Sequence, residues 1–181
     1  MSQFPQELKI TTQSIRLLVL DVDGVMTDGN LYFTNQGEEF KAFNTLDGQG
    51  IKLLQACGVE VAIITGRSSR LVQHRADNLG IRHLIQGRED KAIALAELMK
   101  NTQMNYHEIA FLGDDLPDLA CIQLVGLGLA VANAHEIVKQ HASYTTQLAG
   151  GYGAVREICD CILKAQDKYE NAVEAYFANQ E

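Results

Sequence analysis

An apolar run that ends at two aspartates constrains this chain more than any other feature. The segment Leu17–Leu20 is entirely apolar, and Asp21, Asp23 and Gly24 follow it within four residues. Such a run, bounded by a turn signal, is typical of a strand buried inside a parallel sheet. In open α/β sheets the ligand lies beyond the carboxyl ends of the strands. We therefore expect Asp21 and Asp23 to lie at a functional site.

The spacing of the two aspartates indicates what chemistry they can perform. Side chains two residues apart in extended backbone point to the same side, so Asp21 and Asp23 are expected to face one cavity. Two carboxylates that converge repel each other unless a cation lies between them or one of them holds a proton. The pattern predicts one aspartate that binds a cation and attacks, and another that exchanges a proton. An ordinary acidic turn after the strand explains these two residues equally well.

Strand-like and helix-like segments alternate along the chain, which is typical of an α/β fold with a doubly wound, Rossmann-like parallel sheet. Residues 30–44 are predicted to form an inserted β-hairpin. Helical periodicity begins at Gly48 and ends at Gly58. One long amphipathic helix is predicted from about Ala154 to Phe177. We expect a single domain over residues 1–181, with the C-terminal helix and tail at about 154–181.

Composition and charge exclude several classes of protein. The 181 residues carry a net charge of −8, which disfavours binding to the phosphate backbone of nucleic acids. The first residues lack the apolar core of a signal peptide, and no apolar run approaches the roughly 18 residues of a membrane-spanning helix. The four cysteines form no Cys-x-x-Cys pair, which favours free thiols in a reducing compartment. We expect a cytoplasmic protein without a nucleic-acid or membrane partner.

Further polar signals stand where other predicted strands end. Thr65 follows an apolar strand, Lys91 stands near a helix start, and Asp114 and Asp115 follow the apolar segment 109–112. A hydroxyl and free backbone amides bind phosphate oxygens, a lysine neutralises phosphate, and carboxylates bind magnesium. Taken singly, these residues are equally well explained as a helix cap, a solvated charge and an acidic helix start. Their joint occurrence in this order favours a phosphate site with a magnesium ion.

In this order the motifs resemble those of the haloacid dehalogenase-type phosphatases: Asp-x-Asp-Gly-x-x-Thr from Asp21, then Thr65, Lys91, and Gly-Asp-Asp-x-x-Asp from Gly113. The resemblance implies phosphomonoester hydrolysis in two steps, in which Asp21 is phosphorylated and Asp23 acts as general acid and then as general base. It also implies a Mg2+ ion held by Asp21, the backbone carbonyl of Asp23, and Asp114. Asp115 and Asp118 are expected to support these ligands.

The chain has no room for the substrate cap of larger relatives. Such caps are inserted between the first two motifs or after the second, and the interval from Asp21 to Thr65 is already occupied by the hairpin and one helix. An open site requires a large substrate or a second subunit that closes it. The hairpin carries four apolar side chains: Leu31, Phe33, Phe40 and Phe43. They are expected either to face outward against another copy or to pack on their own domain, with equal weight.

Longer motifs sharpen the resemblance to one family. They are Asp-Val-Asp-Gly-Val-Met-Thr-Asp-Gly from Asp21, Phe-Asn-Thr-Leu-Asp-Gly-Gln-Gly-Ile-Lys from Phe43, Ile-Thr-Gly-Arg from Ile64, Gly-Asp-Asp-Leu-Pro-Asp from Gly113, and Gly-Gly-x-Gly-Ala-Val-Arg-Glu from Gly150. Over nearly the whole chain they are similar to the 3-deoxy-D-manno-octulosonate 8-phosphate phosphatases. The resemblance implies magnesium-dependent hydrolysis of that sugar-acid phosphate, a step toward bacterial lipopolysaccharide, by a homotetramer whose hairpins associate and help to form neighbouring sites.

The resemblance also assigns contacts to the small anionic sugar phosphate. The residues expected to bind it are Asp23, Asn44, Thr45, Leu46, Asp47, Gly48, Lys52, Thr65, Gly66, Arg67, Arg75 and Lys91. The cations among them suit a sugar acid with two anionic ends, although the helix that carries Arg75 can equally present it to solvent. The tail at 178–181 is expected either to fray or to reach a neighbouring site.

Other functions stay open on the sequence. A domain that resembles this family accompanies some sialic-acid cytidylyltransferases and serves in oligomer assembly, but the intact Asp21, Asp23, Lys91 and Asp114 argue against such a non-catalytic role. Another small sugar phosphate is a possible substrate, because only residues 44–48 and the arginines bear on which sugar is bound. A phosphotransferase is disfavoured because no cap excludes water.

Overall fold

The structure is a computed structural model, and it describes residues 4–178. Its strands are β1 (Leu17–Leu20), β2 (Tyr32–Phe33), β3 (Glu39–Phe40), β4 (Glu60–Ile64), β5 (His83–Ile85), β6 (Ile109–Gly113), β7 (Leu127–Ala130) and β8 (Tyr144–Thr145). Its α-helices are α1 (Lys9–Gln13), α2 (Thr45–Ala56), α3 (Arg70–Leu79), α4 (Lys91–Thr102), α5 (Leu119–Leu124), α6 (Glu136–His141), α7 (Ala154–Ala165) and α8 (Tyr169–Ala178).

The main sheet is parallel and has the strand order β5-β4-β1-β6-β7-β8. The chain adds strands on one side of β1 first, through β4 and β5, and then on its other side, through β6 to β8. The strand order therefore reverses at β1, and a crevice forms beyond its carboxyl end. This topology confirms the predicted doubly wound α/β fold and places Asp21 at the reversal point.

The core explains why the central strands have uninterrupted apolar sequences. All residues of β1 and β6 are buried, and they belong to one hydrophobic cluster with side chains from the flanking helices. The helices α1, α2 and α7 contact one another in one group, and α4, α5 and α6 in another. A sheet covered by helices leaves no polar face to its central strands, so the alternation seen in half-exposed strands is absent.

The predicted hairpin is present but short. Strands β2 and β3 pair antiparallel over two residues each, and the rings of Tyr32 and Phe40 stack at 5.1 Å. Between β1 and β4 the chain contains this hairpin and α2, with no further element from which a cap domain could be built. The side chains of Leu31, Phe33 and Phe40 are exposed, whereas Phe43 packs against the core.

Two helix predictions are wrong in their boundaries. Helix α2 begins at Thr45, not at Gly48, because Asn44 caps it by accepting a hydrogen bond from the backbone N–H of Leu46 at 2.8 Å. The single long helix predicted from Ala154 is in fact two helices, α7 and α8. They separate at Asp167, which adopts a left-handed φ of 54°, while the N–H of Lys168 bonds to the carbonyl of Leu163 at 2.9 Å.

Other predictions concern the membrane, the thiols and the tail. No helix in the described part of the chain is long and apolar enough to cross a membrane. The four cysteines, all within that part, are free thiols, as predicted. The prediction for the tail falls largely on residues 179–181, which lie outside the described residues.

Candidate active site

The carboxyl ends of β1 and β6 bring two aspartates together. Asp21 directly follows β1, is buried, and its backbone N–H donates to the carbonyl of Leu112 at 3.1 Å. Asp114 directly follows β6. Gly24, with a φ of 93°, allows this approach, because a Cβ at that position would lie 2.0 Å from Oδ2 of Asp114. The turn after β1 is therefore shaped around the carboxylate of Asp114.

Lys91 joins the cluster from the first residue of α4. Its side chain is 5% exposed, and Nζ lies 3.0 Å from Oδ1 of Asp21 and 2.6 Å from Oδ1 of Asp118. The other oxygen of Asp118 accepts hydrogen bonds from the backbone N–H groups of Asp114 and Asp115 at 3.0 and 3.3 Å. Asp118 thus holds both the lysine and the strand end, which is the supporting position predicted for it.

Like charges accumulate at this point. Carboxylate oxygens of Asp21, Asp114 and Asp118 lie within 4.8 Å of one another. Burial, and then the neighbouring Asp118, raise the pKa of Asp21 to about 6, against the opposing effect of Lys91. Burial, followed by Asp21 and Asp118, raises the pKa of Asp114 to about 8. Burial lowers the pKa of Lys91, but Asp21 and Asp118 outweigh it and the net shift is upward.

This donor set fits a hard divalent cation. Asp21 and Asp114 offer oxygen ligands of the kind that Mg2+ prefers, and burial together with the neighbouring carboxylates raises the pKa values of both groups. Asp118 has both oxygens engaged by Lys91 and by backbone amides. The geometry therefore favours Asp21 and Asp114 over Asp118 as direct ligands.

Asp23 faces the same cavity and is held by cations. Its carboxylate accepts a hydrogen bond from Nζ of Lys41 and lies 3.8 Å from Nε of Arg67. Glu39 completes the network, since its carboxylate lies 3.4 Å from Lys41 and accepts from Arg67 at 2.9 Å. The side chain of Lys41 is only 2% exposed. The hairpin is thereby anchored to the residue predicted to exchange protons.

Sequence reasoning missed Lys41, although a signal for it exists. Lys41 and Glu39 stand two residues apart at the end of β3, so they share one side of the hairpin, while Phe40 lies on the other. A charged pair on the side opposite a phenylalanine indicates that this side contacts polar groups. The two charges alone did not show that the polar group in contact with Lys41 is Asp23.

The cavity at this sheet edge has a volume of about 710 Å³. It is lined by Asp21, Asp23, Gly29, Thr65, Gly66, Arg67, Glu89, Lys91, Asp114, Asp115, Pro117 and Asp118. Thr65 is buried directly after β4, and the side chain of Arg67 is 46% exposed at the rim. The lining combines the carboxylates with residues suited to holding phosphate. Gly29 and Pro117 lie within the longer sequence motifs but had no predicted role, and Glu89 was not singled out in the sequence.

The other predicted substrate contacts do not line this cavity. Residues 44–48 form the cap and first turn of α2, and Lys52 lies further along the same helix. Arg75 is half-buried, donates to the carbonyl of Asn44 at 3.0 Å, and stands over the ring of Phe43 at 5.6 Å. It is therefore not directed simply to solvent. Substrate binding by these residues stays a prediction.

Comparison with known proteins agrees with this arrangement. The profile of the haloacid dehalogenase-like hydrolases matches residues 83–158. The 3-deoxy-D-manno-octulosonate 8-phosphate phosphatase of Yersinia pestis is 53% identical over 88% of this chain and 85% of its own length. The crystal structure of a probable phosphatase from Pseudomonas syringae superposes with a TM-score of 0.94, at 54% identity over 96% of this chain and 98% of that one.

A third relative is informative about ligands. The 3-deoxy-D-manno-octulosonate 8-phosphate phosphatase of Moraxella catarrhalis, solved in complex with a magnesium ion, a phosphate ion and the sugar acid, superposes with a TM-score of 0.93. It is 41% identical, over 96% of this chain and 99% of that one. The match of sequence and fold over most of both chains shows that this chain is a phosphatase and belongs to the 3-deoxy-D-manno-octulosonate 8-phosphate phosphatase family.

Proposed function

We propose that this phosphatase hydrolyses 3-deoxy-D-manno-octulosonate 8-phosphate to the free sugar acid and phosphate, with Mg2+ as its metal. The observation that carries the proposal is the cluster of Asp21, Lys91, Asp114 and Asp118 at the carboxyl edge of the sheet. The family supplies the identity of the sugar. A cytoplasmic location and a place in lipopolysaccharide biosynthesis stay predictions from the resemblance.

Asp21 is proposed as the nucleophile. One of its oxygens bonds to phosphorus while the bond from phosphorus to the sugar oxygen breaks, which leaves a phosphoryl group on the carboxylate. Lys91, 3.0 Å from Oδ1 of Asp21, orients this carboxylate and offsets negative charge as the phosphate approaches. Water then attacks phosphorus, the acyl phosphate bond breaks, and Asp21 is regenerated.

Asp23 is proposed to move the proton in both steps. It gives a proton to the departing sugar oxygen and then takes one from the attacking water. Lys41 and Arg67 restrict the carboxylate to the side that faces the cavity. The contact with Lys41 also links the position of Asp23 to the hairpin. A displacement of the hairpin would therefore move Asp23 away from the position that proton transfer requires.

The metal is proposed to bind to Asp21, Asp114 and the backbone carbonyl of Asp23. When bound, Mg2+ neutralises charge on the phosphate oxygens and lets an anionic nucleophile approach an anionic substrate. The chain itself supplies the hard oxygen donors and, through Asp118, fixes the backbone on which Asp114 stands. Lys91 remains the counter-charge that the protein provides by itself.

A homotetramer is proposed because the family resemblance implies it, and the apolar side chains that the hairpin exposes next to an open site support association. Phe33 and Phe40 are 56% and 54% exposed, and Leu31 is also exposed. A two-residue hairpin with such a surface is marginal in water by itself. Association of hairpins would cover these side chains and bring residues of a second copy toward the cavity.

A different small sugar phosphate is the alternative substrate, and the exposed Arg67 supports it. A long, exposed guanidinium at the rim of an open cavity can pair with the anionic groups of several sugars. The non-catalytic assembly role is not supported, because the nucleophile, the lysine and the acidic cluster are all in place.

The substrate is tested by phosphate release from a panel of sugar phosphates and from p-nitrophenyl phosphate, with Mg2+ and with chelator. We expect the highest kcat/KM for 3-deoxy-D-manno-octulosonate 8-phosphate and loss of activity with chelator. A higher kcat/KM for another sugar phosphate would reject this substrate.

Asp21→Asn should lower turnover by more than about a thousandfold with the fold retained, because the nucleophile is removed. Asp77→Asn, on the surface of α3, is the matched control. Turnover by Asp21→Asn at the rate of the parent would reject Asp21 as the nucleophile.

Magnesium binding should strengthen as the pH rises from 6 to 8. The carboxyls of Asp21 and Asp114, with pKa values raised to about 6 and about 8, must lose protons to bind the ion. Because these two pKa values lie above those of the unfolded chain, protonation of Asp21 and Asp114 stabilises the folded protein at low pH. This stabilisation is lost as the pH rises through about 6 and about 8.

Thermal unfolding with chelator and with Mg2+ measures this effect. The rise in Tm caused by Mg2+ should be larger at pH 8 than at pH 6, and it should be largely absent in Asp114→Asn. An equal rise in Tm at both pH values, or an unchanged rise in Asp114→Asn, would contradict this metal site.

Replacement of Lys41 should impair catalysis without unfolding the protein. Lys41→Met keeps the length of the side chain but removes the ammonium group that contacts Asp23. Loss of a hydrogen bond to a charged group costs about 1.5–3 kcal/mol, so we expect kcat/KM to fall about tenfold or more. Lys139→Met removes a lysine that pairs with Glu136 on α6 and should leave kcat/KM unchanged. A Lys41→Met enzyme as active as the parent would show that the contact is dispensable.

The oligomeric state is tested by light scattering on the parent and on a variant with both Phe33→Ser and Phe40→Ser. The parent should have the mass of four chains, and the variant a lower mass at the same concentration, because the apolar surface that favours association is removed. Ile10→Ser changes another exposed apolar side chain, on α1, and should leave the mass unchanged. A monomeric parent, or a tetrameric double variant, would refute hairpin-mediated association.

A further inference from the structure

Asp47 is a buried carboxylate that does not line the catalytic cavity. It lies in the first turn of α2 and is 3% exposed. Its Oδ1 accepts a hydrogen bond from the backbone N–H of Arg156, at the start of α7, at 2.8 Å. Its Oδ2 is buried and has no hydrogen-bond partner among the described residues. A carboxylate kept in such a place needs a structural or functional explanation.

Two cations, Arg156 and Arg75, attract this carboxylate, and Arg75 packs against the first turn of α2. Its Nε is likewise buried without a hydrogen-bond partner in the described part of the chain. Gly48 leaves space for the guanidinium, since a Cβ there would lie 2.4 Å from Nη2 of Arg75. The same Nη2 donates a hydrogen bond to the carbonyl of Asn44. The first turn of α2 is therefore fixed from two sides.

Two contacts join this turn to the glycine-rich loop 150–153. Asp47 holds the N-terminus of α7, which directly follows the loop. The side-chain amide of Asn44 donates to the carbonyl of Gly151 at 3.2 Å. Asp47 and Asn44, which are among the residues that the family resemblance assigns to substrate, thus have partners in this loop or in the helix that follows it.

The glycine-rich loop in turn packs against the turn 24–28 that follows Asp23. The N–H of Gly151 donates to the carbonyl of Val25 at 3.0 Å. A Cβ on Gly150 would lie 1.7 Å from the carbonyl oxygen of Gly24, so the two backbones touch with no side chain between them. Displacement of the loop must therefore displace the turn.

We propose that Asp47 is a positioning residue for phosphoryl transfer. Through the N-terminus of α7 and the loop 150–153, it keeps the turn 24–28, and with it Asp23 and the approach of Asp114 to Gly24, in the catalytic arrangement. The inference rests on the roles proposed for Asp23 and Asp114, but not on the identity of the sugar. It replaces substrate contact as the explanation of why this position carries an aspartate.

The test compares Asp47→Ala with Asp160→Ala on two substrates. Alanine at position 47 removes the oxygen that accepts from the backbone N–H of Arg156. Asp160 lies on α7 and accepts a hydrogen bond from the side chain of Arg156, but it does not join α7 to α2. The substrates are 3-deoxy-D-manno-octulosonate 8-phosphate and p-nitrophenyl phosphate, which has no sugar to bind. We expect Asp47→Ala to lower kcat about tenfold or more on both substrates with KM changed less than about twofold, because a small misplacement of catalytic groups is costly. Asp160→Ala should behave as the parent.

Hydrogen exchange locates the effect within the folded protein. In Asp47→Ala the backbone amides of residues 22–29 and 147–153 should exchange faster than in the parent, and in Asp160→Ala they should not. Two results would overturn the proposal. A raised KM for the sugar phosphate with normal kinetics on p-nitrophenyl phosphate would make Asp47 a substrate contact. Normal kinetics and exchange with a lowered Tm would make it a stabilising residue only.

A second variant keeps the test decisive if Asp47→Ala does not fold. Asn44→Asp retains a carboxylate oxygen that can cap α2 at the N–H of Leu46, but it removes the amide that donates to Gly151. We expect the same loss of kcat on both substrates and the same faster exchange at residues 22–29. Unchanged turnover of p-nitrophenyl phosphate by Asn44→Asp would overturn the proposed link from α2 to the catalytic turn. Activity of the parent on p-nitrophenyl phosphate tests the phosphatase function separately.

Discussion

One ammonium group among converging carboxylates is the interaction on which the rest of the site depends. Lys91 contacts both Asp21 and Asp118, and without it three acidic side chains within 4.8 Å would have no positive partner among the described residues. Burial and the neighbouring carboxylates raise the pKa values of Asp21 and Asp114 to about 6 and about 8. Three acidic side chains around one ammonium group make the site receptive to a divalent cation.

The topology of the sheet explains why these residues meet although they are far apart in sequence. Leu20 pairs with Ile63 in β4 and with Leu112 in β6, so the residues that follow the three strands share one edge. This much follows from the sequence, because buried parallel strands are recognisable as apolar runs and their carboxyl ends coincide. This reasoning located Asp21, Thr65, Lys91 and Asp114, each directly after a strand or at the start of a helix.

The parts that were not predictable depend on contacts between segments with no local signature. Helix α2 begins at Thr45 rather than at Gly48 because the side chain of Asn44 caps it. Hydrophobic periodicity alone does not show such a cap. The break at Asp167 depends on a left-handed residue that is not glycine. Lys41 became part of the site only because the hairpin folds back on Asp23. In each case one side chain or one dihedral angle determines the local structure, and the pattern of apolar residues in the sequence does not indicate it.

The site combines a rigid base with an adaptable rim, and the physical origin of each differs. The base is set by close approaches at two glycines: Gly24 leaves room for the carboxylate of Asp114, and the backbones of Gly150 and Gly24 touch with no side chain between them. The rim is formed by Arg67 and the short hairpin, which are exposed and held mainly by ion pairs. Phosphoryl transfer demands the fixed geometry of the base, since attacking and leaving oxygens must be in line. In the proposed tetramer, discrimination among sugars falls to the rim, where a second copy of the chain would add contacts that one chain lacks. The reaction type is therefore readable from one chain, whereas under this proposal the choice of sugar depends on how the hairpins associate.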